Sequence, residues 1–252
     1  MSNVYHILNG DALKEQIADR LEGKMIIMRE CLIEGPLTYP SGDLQELFQK
    51  RAQFLTRSNG GTAEYYFVEV AAELEKLIQV ENGAILNFWF EDDLFCQTNF
   101  WFLVHLTRDK SITRSLIRPH QLTRYGFGAY NFEGLQGCFQ KRKEILLVDE
   151  LSNLWEAYAN GQSEKMKQIA SQLSDEFSFI SAAVNAHISR IATNFSSGEP
   201  LQILAKLVEE FGIDSFKKIF DSFSSQAPIY GFGDLQVKRL LQQLENDSFH
   251  NK

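Results

Sequence analysis

Short apolar runs alternate with amphipathic stretches over roughly the first half of the chain. An apolar run that ends in turn residues is typical of a buried strand, and apolar residues at every third or fourth position are typical of a helix. Strands are predicted at 4–8, 24–28, 84–90 and 113–117. Helices are predicted at 12–21, 43–55, 62–80 and 94–106. The helix at 94–106 is apolar nearly all round and is therefore expected to be buried.

This alternation predicts an α/β fold with an N-terminal three-layer, Rossmann-like, mostly parallel sheet. Right-handed crossovers place the first strand in the middle, with the second strand on one side and the third on the other. Ligands of such sheets bind beyond the carboxyl ends of the strands, where the strand order reverses. Residues 9–11 (NGD) follow the first strand and residues 91–93 (EDD) follow the third. These two groups are therefore predicted to share one crevice.

The pattern changes after the fourth strand. Residues 124–140 are rich in glycine and aromatic residues without a clear period, so 123–142 is predicted to be a linker or loop. Only helical patterns occur after residue 142. The sequence therefore predicts an α/β domain over 1–122 and an all-α domain over 143–252. The tetrapeptide YGFG occurs at 125–128 and at 230–233, a repeat that we interpret as coincidence in a chain with 20 Phe residues.

Composition and charge narrow the class of protein. The 252 residues carry a net charge of −8, which opposes attraction to nucleic acid or to an anionic membrane. No apolar run reaches the roughly 20 residues that a membrane-spanning helix needs, and the first residues show no secretory signal. Three isolated cysteines, Cys31, Cys96 and Cys138, indicate neither a disulfide framework nor a structural zinc site. A cytoplasmic protein is expected, and a homodimer is compatible with the sequence.

The first candidate residues are Asn9, Gly10 and Asp11, which precede a predicted helix. The Asp11 carboxylate is either an N-cap, which satisfies free N–H groups at the start of that helix, or a ligand of a metal ion or a ribose hydroxyl. The backbone of Asn9 and Gly10 is predicted to offer N–H groups to an anion. Neither glycine-rich phosphate-binding motif is present, so the signal for a nucleotide is weak.

Three consecutive acids after the third strand form the second group of candidates. Adjacent like charges repel each other unless a positive group lies among them. One interpretation is Mg²⁺ held by Asp11, Glu91 and Asp93. The other is that arginines, such as Arg29 or Arg51, and helix caps neutralise the carboxylates.

Other polar residues lie near the predicted crevice. Gln97, one helical turn after Asp93, is predicted either to make a polar contact near the site or to be a buried amide bonded to the backbone. The Cys96 thiol lies near a helix N-terminus, where a thiol pKa can be lowered, but without a neighbouring histidine we interpret it as structural. The basic run at 108–124 is either a solvated surface or a wall suited to phosphate. His120, in that run, is the histidine expected to lie closest to a ligand.

Three stretches together resemble an uncharacterised bacterial family, the domain of unknown function 1835. They are residues 6–11 (HILNGD), 29–36 (RECLIEGP) and 88–97 (FWFEDDLFCQ). The resemblance covers about residues 4–107. It implies a shared fold and shared site residues, but no established activity comes with it.

The helical part is also similar to the C-terminal region of that family. The matching stretches are residues 177–180 (FSFI) with His187, and residues 231–235 (GFGDL). The family pattern has an aspartate in its second stretch, where this chain has Glu30 instead. Glu30 and the adjacent Arg29 are therefore candidate ligand-binding residues.

Two classes of function fit these features. In the first, the protein binds or acts on a small phosphorylated or nucleotide-type ligand, with the acids holding Mg²⁺ or ribose and the basic run holding phosphate. No nucleophile or general base stands out, so the sequence does not decide whether the protein is an enzyme. In the second, it is a regulatory or adaptor protein whose helical part binds another protein. DNA is the less favoured partner, because the segment from residue 200 has seven acids against six bases.

Overall fold

A computed structural model of the protein describes residues 3–18, 20–38, 42–119, 124–193 and 197–250. Within these residues the sheet has five strands, in the order β2-β1-β3-β4-β5. They are β1 Val4–Asn9, β2 Lys24–Met28, β3 Ile85–Trp89, β4 Thr113–Ile117 and β5 Lys143–Glu144. The first four run parallel, and β5 is antiparallel to β4. The α/β class and the position of β1 between β2 and β3 are confirmed.

Helices lie between the strands and make up most of the second half. The first ones are α1 Asp11–Ile17, α2 Leu44–Asn59, α3 Ala63–Tyr65, α4 Ala72–Ile78 and α5 Leu94–Leu106. The later ones are α6 Phe132–Gln140, α7 Val148–Ala159, α8 Ser163–Gln172, α9 Ser178–Ser189, α10 Glu199–Phe211, α11 Phe216–Gln226 and α12 Asp234–His250. Short 3₁₀ turns lie at Phe127–Ala129 and Pro228–Tyr230. None of the helices in the described residues has the length and hydropathy that a membrane span requires.

Two predictions about these elements need correction. The single helix predicted over 62–80 is divided, because a π-helical stretch, Tyr66–Ala71, separates α3 from α4. The linker or loop predicted over 123–142 is wrong in its second half, where α6 lies. The Asn131 side chain accepts a hydrogen bond from the Gly134 N–H at the start of α6, and Leu135 and Cys138 form its buried face.

Helix α5 lies at the centre of the core, as its apolar sequence predicts. On one side Phe100 contacts Phe88 of β3, with ring centroids 5.8 Å apart. On the other side Phe102 contacts Trp155 of α7, with centroids 4.8 Å apart. The helical second half therefore packs on the sheet through α5, and one buried hydrophobic cluster continues from the sheet to α12. A second cluster, beneath α1 and α6, covers the other face of the sheet and completes the three layers.

Candidate functional site

The carboxyl ends of β1, β2 and β3 lie at one edge of the sheet. The strand register pairs Asn9 with Met28, and Leu8 with Trp89, so the three strands end at nearly the same level. The segments that begin at Gly10, Arg29 and Phe90 therefore leave the sheet side by side. At this predicted edge lie the candidate residues Asn9, Gly10, Asp11, Arg29, Glu30, Glu91, Asp93 and Gln97.

A cluster of three residues, Glu91, Asp93 and Cys96, forms where β3 passes into α5. Each residue offers one ligand atom, and these atoms all lie within 4.8 Å of one another. The Cys96 Sγ donates a hydrogen bond to Glu91 Oε2 at 2.9 Å. Asn9 Nδ2, from the end of β1, donates to the same sulfur at 2.9 Å. We call Glu91, Asp93 and Cys96 the acid–thiol cluster.

The local sequence explains this geometry. Asp93 has an extended backbone and is the N-cap of α5, where its Oδ1 accepts the Cys96 backbone N–H at 2.9 Å. An N-cap side chain bonds to the N–H two or three residues later, so Cys96 must lie beside Asp93. The spacing E-x-D-x-x-C therefore contained the signal for Cys96, which the interpretation as a purely structural thiol missed.

In the acid–thiol cluster Asp93 and Cys96 are buried and Glu91 is partly buried, and the cluster contains no base. Asp93 is only 3% exposed, and burial, reinforced by the nearby Glu91 carboxylate, raises the pKa of Asp93 to about 7. Burial and the two neighbouring carboxylates also raise the pKa of the Cys96 thiol well above its ordinary value, so the helix N-terminus does not lower it. Among the described residues, no Lys or Arg forms an ion pair with Glu91 or Asp93.

Asp92, which lies between Glu91 and Asp93 in the sequence, has a basic partner. Asp92 is also buried, but it forms a two-pronged ion pair with Arg118, in which Nε lies 2.6 Å from Oδ1 and Nη2 lies 2.5 Å from Oδ2. Other members of the basic run are also engaged within the protein. Arg108 pairs with Glu156 at 2.8 Å, and Arg114 donates to backbone carbonyls. The described residues of the run thus contact acids and carbonyls of the protein and do not form a continuous free wall for phosphate. His120 lies outside the described residues.

Asp11 does not join the acid–thiol cluster. It is the first residue of α1, and Gly10 is the N-cap, with no side-chain capping bond, so the N-cap interpretation of Asp11 is wrong. Its carboxylate accepts two hydrogen bonds of 2.7 Å from Arg29, which lower the pKa of Asp11. Of the predicted metal set of Asp11, Glu91 and Asp93, the structure thus brings Glu91 and Asp93 together with Cys96 and not with Asp11.

The predicted anion contact at Gly10 also needs correction. The Gly10 N–H already donates to the Met28 carbonyl at 2.9 Å, across the gap between β1 and β2. The Asn9 side chain is also engaged within the protein, because its Oδ1 accepts a hydrogen bond from Asn99 Nδ2 at 2.9 Å. The Gly10 bond connects the ends of β1 and β2, and the Asn9 side chain connects the end of β1 to Cys96 and Asn99 of α5.

Glu30 lies in a separate buried group. Arg51 Nη2 lies 2.6 Å from Glu30 Oε2, and the Tyr66 hydroxyl donates to Glu30 Oε1. Asn99 Nδ2 donates to the Glu30 carbonyl at 2.9 Å. The candidate ligand residue Glu30 is thus fully engaged with Arg51 and Tyr66, which lie on α2 and the π-helical stretch.

Gln97 is a buried amide bonded to the backbone, the second of its two interpretations, and the carbonyl that it contacts belongs to Glu91. It is completely buried, and its Nε2 donates to the Glu91 backbone carbonyl at 2.7 Å. Its Oε1 is a buried acceptor without a hydrogen-bond partner in the described part of the chain. Because both atoms belong to one planar amide, this acceptor lies beside the backbone of the acid–thiol cluster.

A small cavity of about 80 Å³ adjoins Glu91. It is lined by Asn9, Ala12, Leu13, Gln16, Trp89, Glu91, Phe127 and Gly128. The Phe127 N–H donates to Glu91 Oε1 at 2.8 Å, so the 3₁₀ turn forms one wall of the cavity. The cavity has room for a few water molecules or one small chemical group.

Both copies of the YGFG tetrapeptide lie against the acid–thiol cluster. The first supplies the Phe127 N–H to Glu91. The second supplies Gly231, which has a positive φ of 63° and lies so close to Asp93 that an added Cβ would be 2.0 Å from Oδ1. The second half of the chain therefore closes over Asp93, a contact that no local sequence pattern indicates.

The fold and the site together define an α/β protein with a mostly parallel sheet and a buried acid–thiol cluster at the carboxyl end of β3. No protein-family model matches the chain, and no curated protein matches it. The resemblance to the domain of unknown function 1835 therefore stays a prediction.

Proposed function

We propose that the protein binds a divalent metal ion through Glu91, Asp93 and Cys96, and that this ion holds a small ligand at the carboxyl ends of the strands. The observation that carries the proposal is the convergence of three ligand atoms within 4.8 Å, in a cluster where Asp93 and Cys96 are buried and Glu91 is partly buried. Three protein ligands leave a coordination position open, as in zinc sites that bind water or substrate. We place that open position on the side of the small cavity, which Glu91 lines and Asp93 and Cys96 do not.

The ligand atoms of Glu91, Asp93 and Cys96 favour a different ion from the Mg²⁺ that the sequence predicted. Mg²⁺ prefers oxygen ligands and keeps several waters, which suited the set with Asp11. A thiolate with two carboxylates in a buried, compact arrangement suits Zn²⁺ better, because zinc accepts sulfur and oxygen ligands in four-coordinate sites. The proposed resident ion is therefore Zn²⁺ and not Mg²⁺.

Electrostatics support the same conclusion. A buried carboxylate without a basic partner either holds a proton or requires a cation. Asp93, with a pKa raised to about 7, and Cys96, with a raised thiol pKa, are both groups of this kind. A bound Zn²⁺ would take the place of their protons. A water bound to the ion would also provide a donor for the unpartnered Gln97 Oε1.

The ligand class is inferred from the size of the cavity. At about 80 Å³ the cavity admits one small group, such as a phosphoryl group, but not a whole nucleotide. A small phosphorylated ligand would bind through the ion, since no base lines this cavity among the described residues. The other function predicted from the sequence, an adaptor whose helical part binds a protein, stays a prediction.

Calorimetric titration of the metal-free protein with Zn²⁺ tests the proposal. We expect one ion per chain, and a measured heat that changes with the ionisation enthalpy of the buffer, because binding displaces protons from Asp93 and Cys96. Cys96→Ser and Asp93→Asn should each weaken binding strongly. Cys138→Ser, at an equally buried cysteine outside the cluster, is the matched control and should bind like the unaltered protein. Undetectable binding, or equal binding by Cys96→Ser and Cys138→Ser, would contradict the proposal.

A further inference from the structure

A larger cavity, of about 240 Å³, lies at the edge of the sheet where β4 and β5 meet the start of α9. It is lined by Leu116, Arg118, Lys141, Lys143, Glu176, Phe177 and Phe179. None of these residues belongs to the acid–thiol cluster. The cavity is therefore a second site, separate from the proposed metal site.

The floor of this cavity is apolar and aromatic. Leu116, Phe177 and Phe179 are between 1% and 4% exposed, so their positions are fixed by the core. The Arg118 guanidinium carbon lies 3.7 Å from the centre of the Phe179 ring. Arg118 also forms an ion pair with Asp92, so the stacked side chains of Arg118 and Phe179 form a preorganised wall of the cavity.

The rim of the cavity is basic. Lys141 and Lys143 are exposed, and within the described ranges neither forms an ion pair with a carboxylate. Glu176 is the one acid among the lining residues that the structure describes. Two ammonium groups above an aromatic floor favour a ligand that has a negative group at one end and a flat apolar body at the other.

We propose that this cavity binds a small aromatic anion, such as an aromatic carboxylate or an aryl phosphate. The flat body would lie on Phe177 and Phe179, and the negative group would contact Lys141 and Lys143. The volume is slightly below the usual range for drug-sized ligands, which limits the body to about one ring.

Titration with four small probes tests this proposal. The probes are benzoate, phenyl phosphate, inorganic phosphate and benzyl alcohol, followed by calorimetry or by chemical shifts. At least one of the two aromatic anions should bind at least about tenfold more tightly than inorganic phosphate and benzyl alcohol, which lack one of the two required parts. The better of the two anions identifies the head group. If neither aromatic anion binds more tightly than benzyl alcohol, the proposal is wrong.

Matched variants locate the binding. The double variant Lys141→Ala with Lys143→Ala should bind the aromatic anion about tenfold or more weakly, since two charge-assisted contacts are lost. Lys165→Ala with Lys167→Ala removes the same charge from exposed positions of α8, at the same spacing, and should leave the affinity unchanged. Equal affinities of the two double variants would overturn the proposal. Binding should also persist in Asp93→Asn with a chelator present, which separates this site from the proposed metal site.

Discussion

Two acidic groups lie at the carboxyl ends of β2 and β3, on either side of β1, and they differ in how their charge is compensated. At the end of β2, Glu30 is bound to Arg51, which is 0% exposed, and to the Tyr66 hydroxyl. At the end of β3, Glu91 and Asp93 have no basic partner among the described residues; Glu91 accepts a hydrogen bond from the Cys96 thiol, and Asp93 accepts one from the Cys96 backbone N–H. The first group is complete within the fold. The second group has two carboxylates and a thiol with no basic residue to balance their charge. This is the arrangement expected of residues that bind a cation.

The largest expected effect comes from breaking the complete group. Arg51→Met leaves Glu30 buried without its ion-pair partner, and the free energy of unfolding should fall by about 3–5 kcal/mol. Arg51 also donates to the Cys31 carbonyl at 2.9 Å, so the loop after β2 loses an anchor. Urea denaturation measures the loss.

The double variant Glu30→Gln with Arg51→Met is the control. It removes the unpaired charge, so it should be more stable than Arg51→Met alone. If Arg51→Met loses less than about 1 kcal/mol, the Glu30 group does not have the structural role that the comparison assigns to it.

The incomplete group should make stability depend on pH. Folding raises the pKa of Asp93 from 3.8 to about 7, so the folded protein holds this proton more tightly than the unfolded protein does. Its contribution is fully present below about pH 4 and is lost as the pH rises through 7. In metal-free protein this loss is about 4 kcal/mol.

Urea denaturation at a series of pH values, with a chelator present, measures this dependence. Asp93→Asn retains a good N-cap side chain and removes the titrating group, so its stability should change much less between about pH 4 and 8. A wild-type profile that matches the Asp93→Asn profile would show that Asp93 is not the buried proton-binding group.

The same substitution at two adjacent acids sharpens the comparison further. At about pH 8 without metal, Asp92→Asn should lower the free energy of unfolding by about 1–3 kcal/mol, because Arg118 loses a charged partner. Asp93→Asn should leave it unchanged or raise it, because an uncompensated buried charge is removed. Thermal or urea unfolding of the two variants side by side measures the difference. If both variants lose the same free energy of unfolding, Asp92 and Asp93 do not differ as a paired and an unpaired acid.

The smallest effect is expected at Asp11. Its side chain is 51% exposed, so the ion pair with Arg29 is screened by water. Asp11→Asn should cost at most about 1 kcal/mol. Zn²⁺ binding should be unchanged, because Asp11 lies outside the acid–thiol cluster. A large loss of Zn²⁺ affinity in Asp11→Asn would restore the metal set predicted from the sequence.

Much of the fold was predictable because it depends on local patterns. The order of the first three strands results from handed crossovers, and the buried position of α5 results from its apolar circumference. Helix α6 was missed because Gly134 and Gly137 interrupt its pattern, although Leu135 and Cys138 supply a buried face.

The sequence predicted which edge of the sheet carries the site, but not how the residues there pair with one another. Which acid meets which base depends on packing between distant segments, such as Asp92 with Arg118 or Asp93 with Gly231. The C-terminal helix shows the same limit, since Gln236 donates to Cys31 Sγ at 3.2 Å. Cys96 is different, because its spacing from Asp93 is local and could have been recognised as an N-cap contact.

The most direct test of the central claim is the absorption spectrum of the metal-free protein as Co²⁺ is added. Co²⁺ takes zinc sites and gives a thiolate-to-metal charge-transfer band when a cysteine is a ligand. The proposal predicts this band in the unaltered protein and in Cys138→Ser, and its loss in Cys96→Ser. No band in the unaltered protein, or a band that persists in Cys96→Ser, would contradict a metal site built on Glu91, Asp93 and Cys96.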